Sequence, residues 1–385
     1  MKVGIDIRTL MDRQYSGVSE YTLNLILGIL EKNESNQEHE IKLFYNSGRD
    51  IAEQMPNFEK YKCEVIYTRY PNKIFNYLMQ KGLSYPKLDK LLGVDIFIFP
   101  HINFFKTSSS CKSILTIHDL SFLRYPEFFS LRKNIWHFIL NVKKMVKRVD
   151  KIITISENTK KDIIELLGVD EKRVYVVKSG INKKEFGVIN PQDYKYKEIK
   201  KKYNLPENFF LYLGNLEPRK NISRIIKAYD IFIKNYPKSN YELIIAGGGG
   251  WKNKDIYKTK DRSENKGSIK FLGYIPRDEK IYLYNMASLF VFPSLYEGFG
   301  LPPLEAMACG IPVLTSSISS LPEVTNNCAI LVNPLNPMSI AKGMEEGVFN
   351  KKLREVLTLG GFENVKNFDK SEIVDKYFEV INNLV

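Results

Sequence analysis

A short apolar run followed by a longer stretch with helical spacing recurs along this 385-residue chain, and no other feature constrains its fold as tightly. Lys2–Asp6 precedes the helical pattern of Val18–Leu30; Ile41–Tyr45, Asp95–Phe99 and Ile114–Ile117 continue the series, and Lys151–Ile155 leads into Glu157–Leu167. Runs of this kind need cover on both faces, which a parallel sheet with crossover helices supplies. From about 186 to 207 the pattern lapses into a lysine-rich stretch containing Pro191 and Pro206. It resumes with Phe209–Leu213, Tyr241–Ala246, Ile269–Leu272, Leu289–Phe292, Pro312–Thr315 and Ala329–Val332. The expected class is α/β: residues 1–190 as one parallel-sheet domain, 191–206 as a linker, and 207–367 as a second domain. Residues 368–385 carry Ile373, Tyr377, Phe378, Val380 and Ile381 at helical spacing and are expected to close the chain as a helix packed back on the first domain. Open parallel sheets bind ligands at the carboxyl ends of their strands, so two such domains facing each other would hold a ligand in the cleft between them.

The formal charge of +13 suits nucleic acid, an anionic membrane surface or a phosphate-bearing substrate, and does not choose among them. Cys63, Cys111, Cys309 and Cys328 have no paired short spacing, which argues against both a zinc site and a disulfide framework. Met1–Asp6 reads as a buried strand that starts at once, so no signal peptide is expected. No apolar run approaches the roughly 20 residues needed to cross a bilayer. A cytoplasmic protein is expected, either free or held at the inner face of the cell membrane.

The most informative stretch runs from Pro293 to Gly310. It leaves an apolar strand, passes through Gly298 and Gly300, and enters a helix whose first turn holds Pro302 and Pro303, where a missing amide proton costs least. Glycines let a ligand approach the backbone, and the free amides of a helix start favour phosphate oxygens. Glu297 and Glu305 frame that loop, each placed to accept hydrogen bonds from sugar hydroxyls on either side of a bound diphosphate. The plainer alternative, acidic residues placed for the helix dipole, leaves the density of glycine and proline unexplained.

Arg219 and Lys220 follow the first strand of the second half. Two adjacent cations could neutralise a diphosphate leaving group or could be an ordinary solvated pair. His118 ends the strand Ile114–Ile117, where an open sheet presents ligands; a core histidine satisfied by a local carboxylate is the alternative. Gly17, in Ser16-Gly17-Val18-Ser19-Glu20, lies between the first strand and its helix, suited to phosphate approach or to a simple capping turn.

Glu297 and Glu305, with seven residues between them, resemble the glutamate motif of retaining glycosyltransferases of family 4. The run His118-Asp119-Leu120-Ser121-Phe122-Leu123-Arg124-Tyr125-Pro126-Glu127-Phe128-Phe129 resembles the subgroup that contains O-antigen mannosyltransferases, and Gly214–Asn221 resembles the family's donor-phosphate segment. The resemblance covers nearly the whole chain. It implies a GT-B fold of two Rossmann-like domains, the first binding acceptor and the second nucleotide sugar. It places Glu297 on the donor sugar, Gly298, Phe299, Gly300 and Leu301 on the diphosphate, Glu305 on the ribose, and Arg219 and Lys220 on the leaving phosphates. His118 is then expected to lie against the sugar and to act with Glu297 as a catalytic residue, Gly17 to meet the donor, and Ile275 to meet the base through its main chain. Two positions depart from the family: Asn215 stands where many relatives carry an arginine, and Gly17 stands where two glycines are common.

The implied reaction is retaining transfer of a hexosyl group, with GDP-mannose as first donor, to a hydroxyl of a glycan or lipid-linked acceptor in surface polysaccharide or O-antigen synthesis. A UDP-linked glucosyl, galactosyl or amino-sugar donor stays open, as does a nucleotide-sugar epimerase on the same fold. A phosphorylase lacks a convincing pyridoxal lysine segment, and a nucleic-acid-binding role leaves the ordered motifs unexplained. No Asp-x-Asp occurs, so no metal or other cofactor is expected to be required. The four consecutive glycines Gly247–Gly250 lack the spacing of a dinucleotide fingerprint and read as a flexible loop beside the nucleotide. Leu131–Lys151 reads as one amphipathic helix, either core-facing with a solvated basic face or attracted to anionic lipid or a phosphate-bearing acceptor.

Overall fold

The computed structural model describes residues 1–11, 17–36, 38–81, 87–182 and 185–384. They form two compact units: Met1–Leu120 with Arg132–Ser179 and Lys370–Val385, and Ser121–Leu131 with Gly180–Asp369.

In the first unit, β1 (Lys2–Asp6), β2 (Glu40–Asn46), β3 (Cys63–Thr68), β4 (Ile96–Phe99), β5 (Lys112–Ile117), β6 (Lys151–Thr154) and β7 (Val174–Val176) make one sheet in the order β3-β2-β1-β4-β5-β6-β7. All its pairings are parallel. The central strands are apolar on both faces because helices cover both; all four residues of β4, Ile-Phe-Ile-Phe, are buried. The edge strands β3 and β7 were not expected. In β3 every residue is exposed or half-buried, and β7 has only three residues, so neither carries a continuous apolar run.

The helix Lys370–Asn382 belongs to this unit. Tyr377 on it is fully buried, hydrogen-bonded to Thr116 of β5 and reached by the Tyr21 hydroxyl at 3.3 Å. Helix Gly17–Asn36 meets it so closely that a Cβ on Gly28 would come within 2.3 Å of a Val374 methyl.

In the second unit, β8 (Phe209–Leu213), β9 (Glu242–Ala246), β10 (Ile269–Gly273), β11 (Leu289–Phe292), β12 (Val313–Ser316) and β13 (Ile330–Val332) form a second all-parallel sheet in the order β10-β9-β8-β11-β12-β13. Both sheets therefore reverse strand order beside their first strand, which opens a crevice at the carboxyl ends of β1 and β4 in one and of β8 and β11 in the other. Helix Ile222–Asn235 shows how the sequence specifies the cover. Ile222, Ile225, Ile226, Tyr229 and Phe232 recur at helical spacing, and all are buried.

Three segments depart from the sequence pattern. Tyr194–Lys202, in the lysine-rich stretch between the two series of strands, is a helix counted with the second unit, capped by the Asp193 carboxylate and burying only Ile199. Ser121–Leu131 also joins the second unit: Trp251 Nε1 donates to the Phe128 carbonyl at 2.7 Å, Lys252 Nζ to the Glu127 carbonyl at 2.8 Å, and Trp251 stacks on Phe129. The single amphipathic helix expected over 131–151 is two helices, Leu131–Leu140 and Val142–Met145. They are separated by Asn141 in the left-handed region (φ 50°), whose side chain caps the Lys144 amide.

Gly28→Ala tests the docking of the last helix. Helix propensity alone predicts a gain of about 1 kcal/mol, but the close approach of Val374 forces repacking, so a net loss of about 1–3 kcal/mol is expected. Urea denaturation read by circular dichroism measures which term prevails.

Candidate functional site

The carboxyl ends of β8 and β11, adjacent strands of the second sheet, run into Gly214–Asn221 and Pro293–Gly300. These two loops are bound to each other. The Leu295 amide donates to the Arg219 carbonyl at 2.7 Å, and Asn221 Nδ2 donates to the carbonyls of Pro293 (2.9 Å) and Pro334 (2.7 Å). Asn221 takes the left-handed conformation (φ 65°), which asparagine tolerates, and so ends the short turn Pro218–Lys220 and starts the next helix. That turn aims both cations at Glu297.

Lys220 Nζ lies 2.6 Å from Glu297 Oε1, and Arg219 Nη1 lies 2.7 Å from Glu297 Oε2 and 3.1 Å from the Tyr296 carbonyl. Arg219 Nε also faces Glu217 Oε1 at 2.6 Å. Glu217, Lys220 and Glu297 are buried, so two carboxylates and two cations share one poorly hydrated cluster. Burial opposes ionisation of Glu297, but the Arg219 and Lys220 charges overcome it and hold its pKa at about 2, below the ordinary 4.5. Burial, together with the Arg219 charge, draws Lys220 below its ordinary value against the pull of Glu297. The Lys220 ammonium sits 4.7 Å from the centre of the Phe292 ring.

The backbone around Glu297 is pinned by hydroxyls from the loop after β12. Ser319 Oγ accepts from the Glu297 amide at 3.0 Å and donates to its carbonyl at 2.7 Å, while Ser320 Oγ donates to the carbonyls of Glu297 and Phe299. Gly298 to Gly300 are buried, and Phe299 packs edge-on against Phe368. Gly300 has φ 114°, and a Cβ there would approach Leu321 to 2.7 Å, so glycine is required on both counts. The helix Leu301–Ala308 follows with Pro302 and Pro303 in its first turn. Those prolines have no N–H, so the donors available to an anion come from the loop residues just upstream. Glu305, buried on this helix, accepts from the Tyr284 hydroxyl at 2.7 Å.

The structure thus joins Arg219, Lys220 and Glu297 directly, and links them through Gly298–Leu301 to the helix bearing Glu305. Ile275 is buried just beyond the carboxyl end of β10. The glycine run at 247–250 is bonded to the neighbouring loop: Gly214 donates to Ala246, Leu216 to Gly248, and Gly250 back to Leu216. Tyr296, next to Glu297, meets the Tyr125 ring edge-on at 5.6 Å.

His118 and Gly17 belong to the first unit. His118 Nε2 lies 2.8 Å from the Pro100 carbonyl, so that nitrogen carries the proton, and the Tyr21 ring stands edge-on at 4.7 Å. Burial draws His118 below its ordinary pKa, against the Pro100 hydrogen bond and Asp119. Gly17 is the first residue of its helix, with open space where a Cβ would be; Ser16 before it lies outside the described residues.

Several polar groups escaped sequence reasoning. Ser319, Ser320 and Tyr284 act through partners distant in sequence, and Glu217 through Arg219, two residues on; the run Ser316-Ser317-Ile318-Ser319-Ser320 after a buried strand was the one available signal. In the first unit, Asp6 and Arg8 form a buried pair at the end of β1, 2.6 Å at its closest, with Arg8 also donating to the Phe104 carbonyl. His101, two residues beyond β4, is held down to about 4 by burial, against the pull of Asp6. Among the described residues no group of three or more His, Cys, Asp or Glu is placed to hold a metal ion.

Comparison with known proteins assigns this architecture. Residues 15–185 match the model of Glycosyltransferase Family 4, and residues 195–363 match that of Glycosyl transferases group 1. The chain belongs to these glycosyltransferases, and its two parallel-sheet units are those of the GT-B fold. It is 28% identical over 363 residues to O-antigen chain mannosyltransferase B of Escherichia coli, covering 92% of each chain. It is 34% identical over 239 residues to the serotype-specific mannosyltransferase WbdA of Escherichia coli, covering 62% of this chain and 29% of that longer protein. A solved structure of sucrose-phosphate synthase from Thermosynechococcus elongatus matches it with a TM-score of 0.72 at 18% identity, covering 100% of this chain and 98% of that one.

The Glu297 cluster predicts a signature in acid. A carboxylate whose folded pKa is lowered contributes stability that is complete above its ordinary value of 4.5 and is lost as pH falls through about 2. Glu297→Gln should cost about 3 kcal/mol at neutral pH by leaving buried Lys220 without its carboxylate and Arg219 with Glu217 alone, and should flatten the fall in stability across that acid window. Chemical denaturation at a series of pH values reads both effects.

Proposed function

We propose that this glycosyltransferase moves a hexosyl group, first of all mannosyl from GDP-mannose, to a hydroxyl of a glycan or lipid-linked acceptor, with retention of configuration and without a metal. The observation that carries the proposal is the pairing of Arg219 and Lys220 with Glu297 at the point where the second sheet reverses strand order, beside the glycine loop and the helix of Glu305. The mannosyl assignment is supported by the likeness to O-antigen chain mannosyltransferase B along nearly the whole of both chains.

In this reading the donor diphosphate takes the Arg219 and Lys220 charges, the amides of Gly298–Leu301 hold its oxygens, Glu305 holds the ribose, and Glu297 turns to the sugar hydroxyls. The bond from the anomeric carbon to the phosphate oxygen breaks as the acceptor oxygen bonds to that carbon on the same face. The acceptor proton passes to the departing phosphate, so no separate general base is needed. Stabilising charge on the leaving group in a poorly hydrated site supplies the rate. His118, with Nε2 already committed to Pro100, offers Nδ1 as an acceptor to a sugar hydroxyl.

The experiment is a thermal-shift panel of GDP, UDP and their sugars with and without magnesium, followed by anomeric assignment of the product by NMR. GDP-mannose is expected to stabilise the protein with or without the metal, and the product to keep the donor's anomeric configuration. A preference for UDP-sugars moves the donor to the second class, inversion at the anomeric carbon refutes retention, and stabilisation by none of them refutes the donor site. Lys220→Ala and Glu305→Ala are expected to raise the nucleotide Kd at least tenfold, the loss of one charge-assisted contact being worth about 1.5–3 kcal/mol. Glu297→Ala should slow transfer with nucleotide affinity largely kept.

A further inference from the structure

Helix Leu131–Leu140 turns an apolar face to solvent. Leu131, Ile135, Phe138 and Ile139 recur at i, i+4, i+7 and i+8, the spacing that normally buries a helix against a core. All four are exposed, Phe138 to 85%. The helix is held to its unit by other residues, Leu140, which is buried, and Trp136, which stands edge-on to Phe104. Gln80 Nε2 reaches the Ile139 carbonyl at 3.4 Å, which brings helix Asn72–Lys81 alongside with Ile74 and Tyr77 also exposed.

Beyond Asn141 the arrangement inverts. Val142, Met145, Val146 and Val149 are buried, and the exposed positions between them are Lys143, Lys144, Lys147 and Arg148. None of these four cations forms a salt bridge among the described residues. An uncovered apolar helix face therefore continues directly into an uncompensated basic surface, in a chain with a net charge of +13.

We infer that this face docks on an anionic lipid bilayer, Ile135, Phe138 and Ile139 entering the headgroup boundary while Lys143, Lys144, Lys147 and Arg148 pair with lipid phosphates. Charge complementarity selects this occupant. A second copy of the chain would bring two basic surfaces together, whereas an anionic bilayer receives both the apolar residues and the cations. Among the described residues no helix is long and apolar enough to cross a membrane, so the contact is peripheral. The inference goes beyond the transfer reaction and stands independently of which donor is used.

Cosedimentation of the full chain with vesicles tests it. Vesicles of two parts phosphatidylcholine to one part phosphatidylglycerol should retain the protein, and phosphatidylcholine alone should not. Lys143→Gln and Lys144→Gln should each lower the partition coefficient about fivefold. Ile135→Ser with Phe138→Ser should lower it at least tenfold, leaving the melting temperature and donor-induced stabilisation unchanged because both side chains are exposed. Equal retention on the two vesicle types, no retention on either, or full retention of the apolar double variant would overturn the inference. So would a dimer in sedimentation velocity that Phe138→Ser dissociates. Because donor binding is read separately in the same preparations, failure here is distinct from failure of the proposed reaction.

Discussion

The ionised carboxylate of Glu297, shared between Arg219 and Lys220, organises the carboxyl edge of the second sheet. A carboxylate taken out of water costs several kcal/mol unless it is paired and hydrogen-bonded, and here the pairing draws three separate segments together. The turn Pro218–Lys220 brings the cations, Asn221 locks that turn to Pro293 and Pro334, and Ser319 and Ser320 fix the backbone of Glu297 and Phe299. With Glu217 on the other side of Arg219, the cluster has as many carboxylates as cations. The cations thus already have partners, and the diphosphate binding proposed here would be an exchange, in which phosphate oxygens would take the place of the Glu297 carboxylate and release it toward the rest of the ligand.

What the sequence revealed follows what local pattern can encode. Phe209–Leu213 and Leu289–Phe292 were legible to the residue because buried parallel strands are apolar throughout. The edge strand Cys63–Thr68 was not, since half of its surface faces water and its residues alternate without a clean period. Tyr194–Lys202 was hidden differently: a helix that buries one residue and leaves five lysines and two tyrosines exposed or half-buried has no apolar stripe to detect. At the site, the residues borne on the strand-loop-helix unit were legible from glycine, proline and acid spacing. Ser319, Ser320 and Tyr284 were not, because each matters only through a partner that the fold brings from elsewhere, and Glu217 was not, because its role depends on burial of the cluster it joins.

The break at Asn141 shows how a pattern can be right in kind and wrong in extent. Apolar residues continue at helical spacing from Ile135 to Val149, so the sequence reads as one helix with one face. A single left-handed residue changes the direction of the backbone, and the asparagine side chain compensates by capping the next turn at Lys144. The phase of the stripe shifts with it. Leu131, Ile135, Phe138 and Ile139 before the break look outward, and Val142, Met145, Val146 and Val149 after it look into the core. Averaging across 131–151 blends a solvent-facing apolar surface with a core-facing one and conceals both.

The crevices of the two sheets differ in electrical character, and the difference bears on what each can recognise. At β8 and β11 four formal charges are concentrated, and Glu297 stays ionised at any physiological pH. At β1, β4 and β5 the charges of Asp6 and Arg8 are spent on each other, and burial draws His101 and His118 below their ordinary values, so these imidazoles are neutral near pH 7. A neutral imidazole with one nitrogen bonded to a backbone carbonyl can accept a single hydrogen bond from a hydroxyl, but it offers nothing to a phosphate. Charged groups suit the nucleotide diphosphate, and neutral ones suit sugar hydroxyls. This contrast in ionisation supports the proposal that the second unit takes the donor diphosphate while His118 of the first meets a sugar hydroxyl.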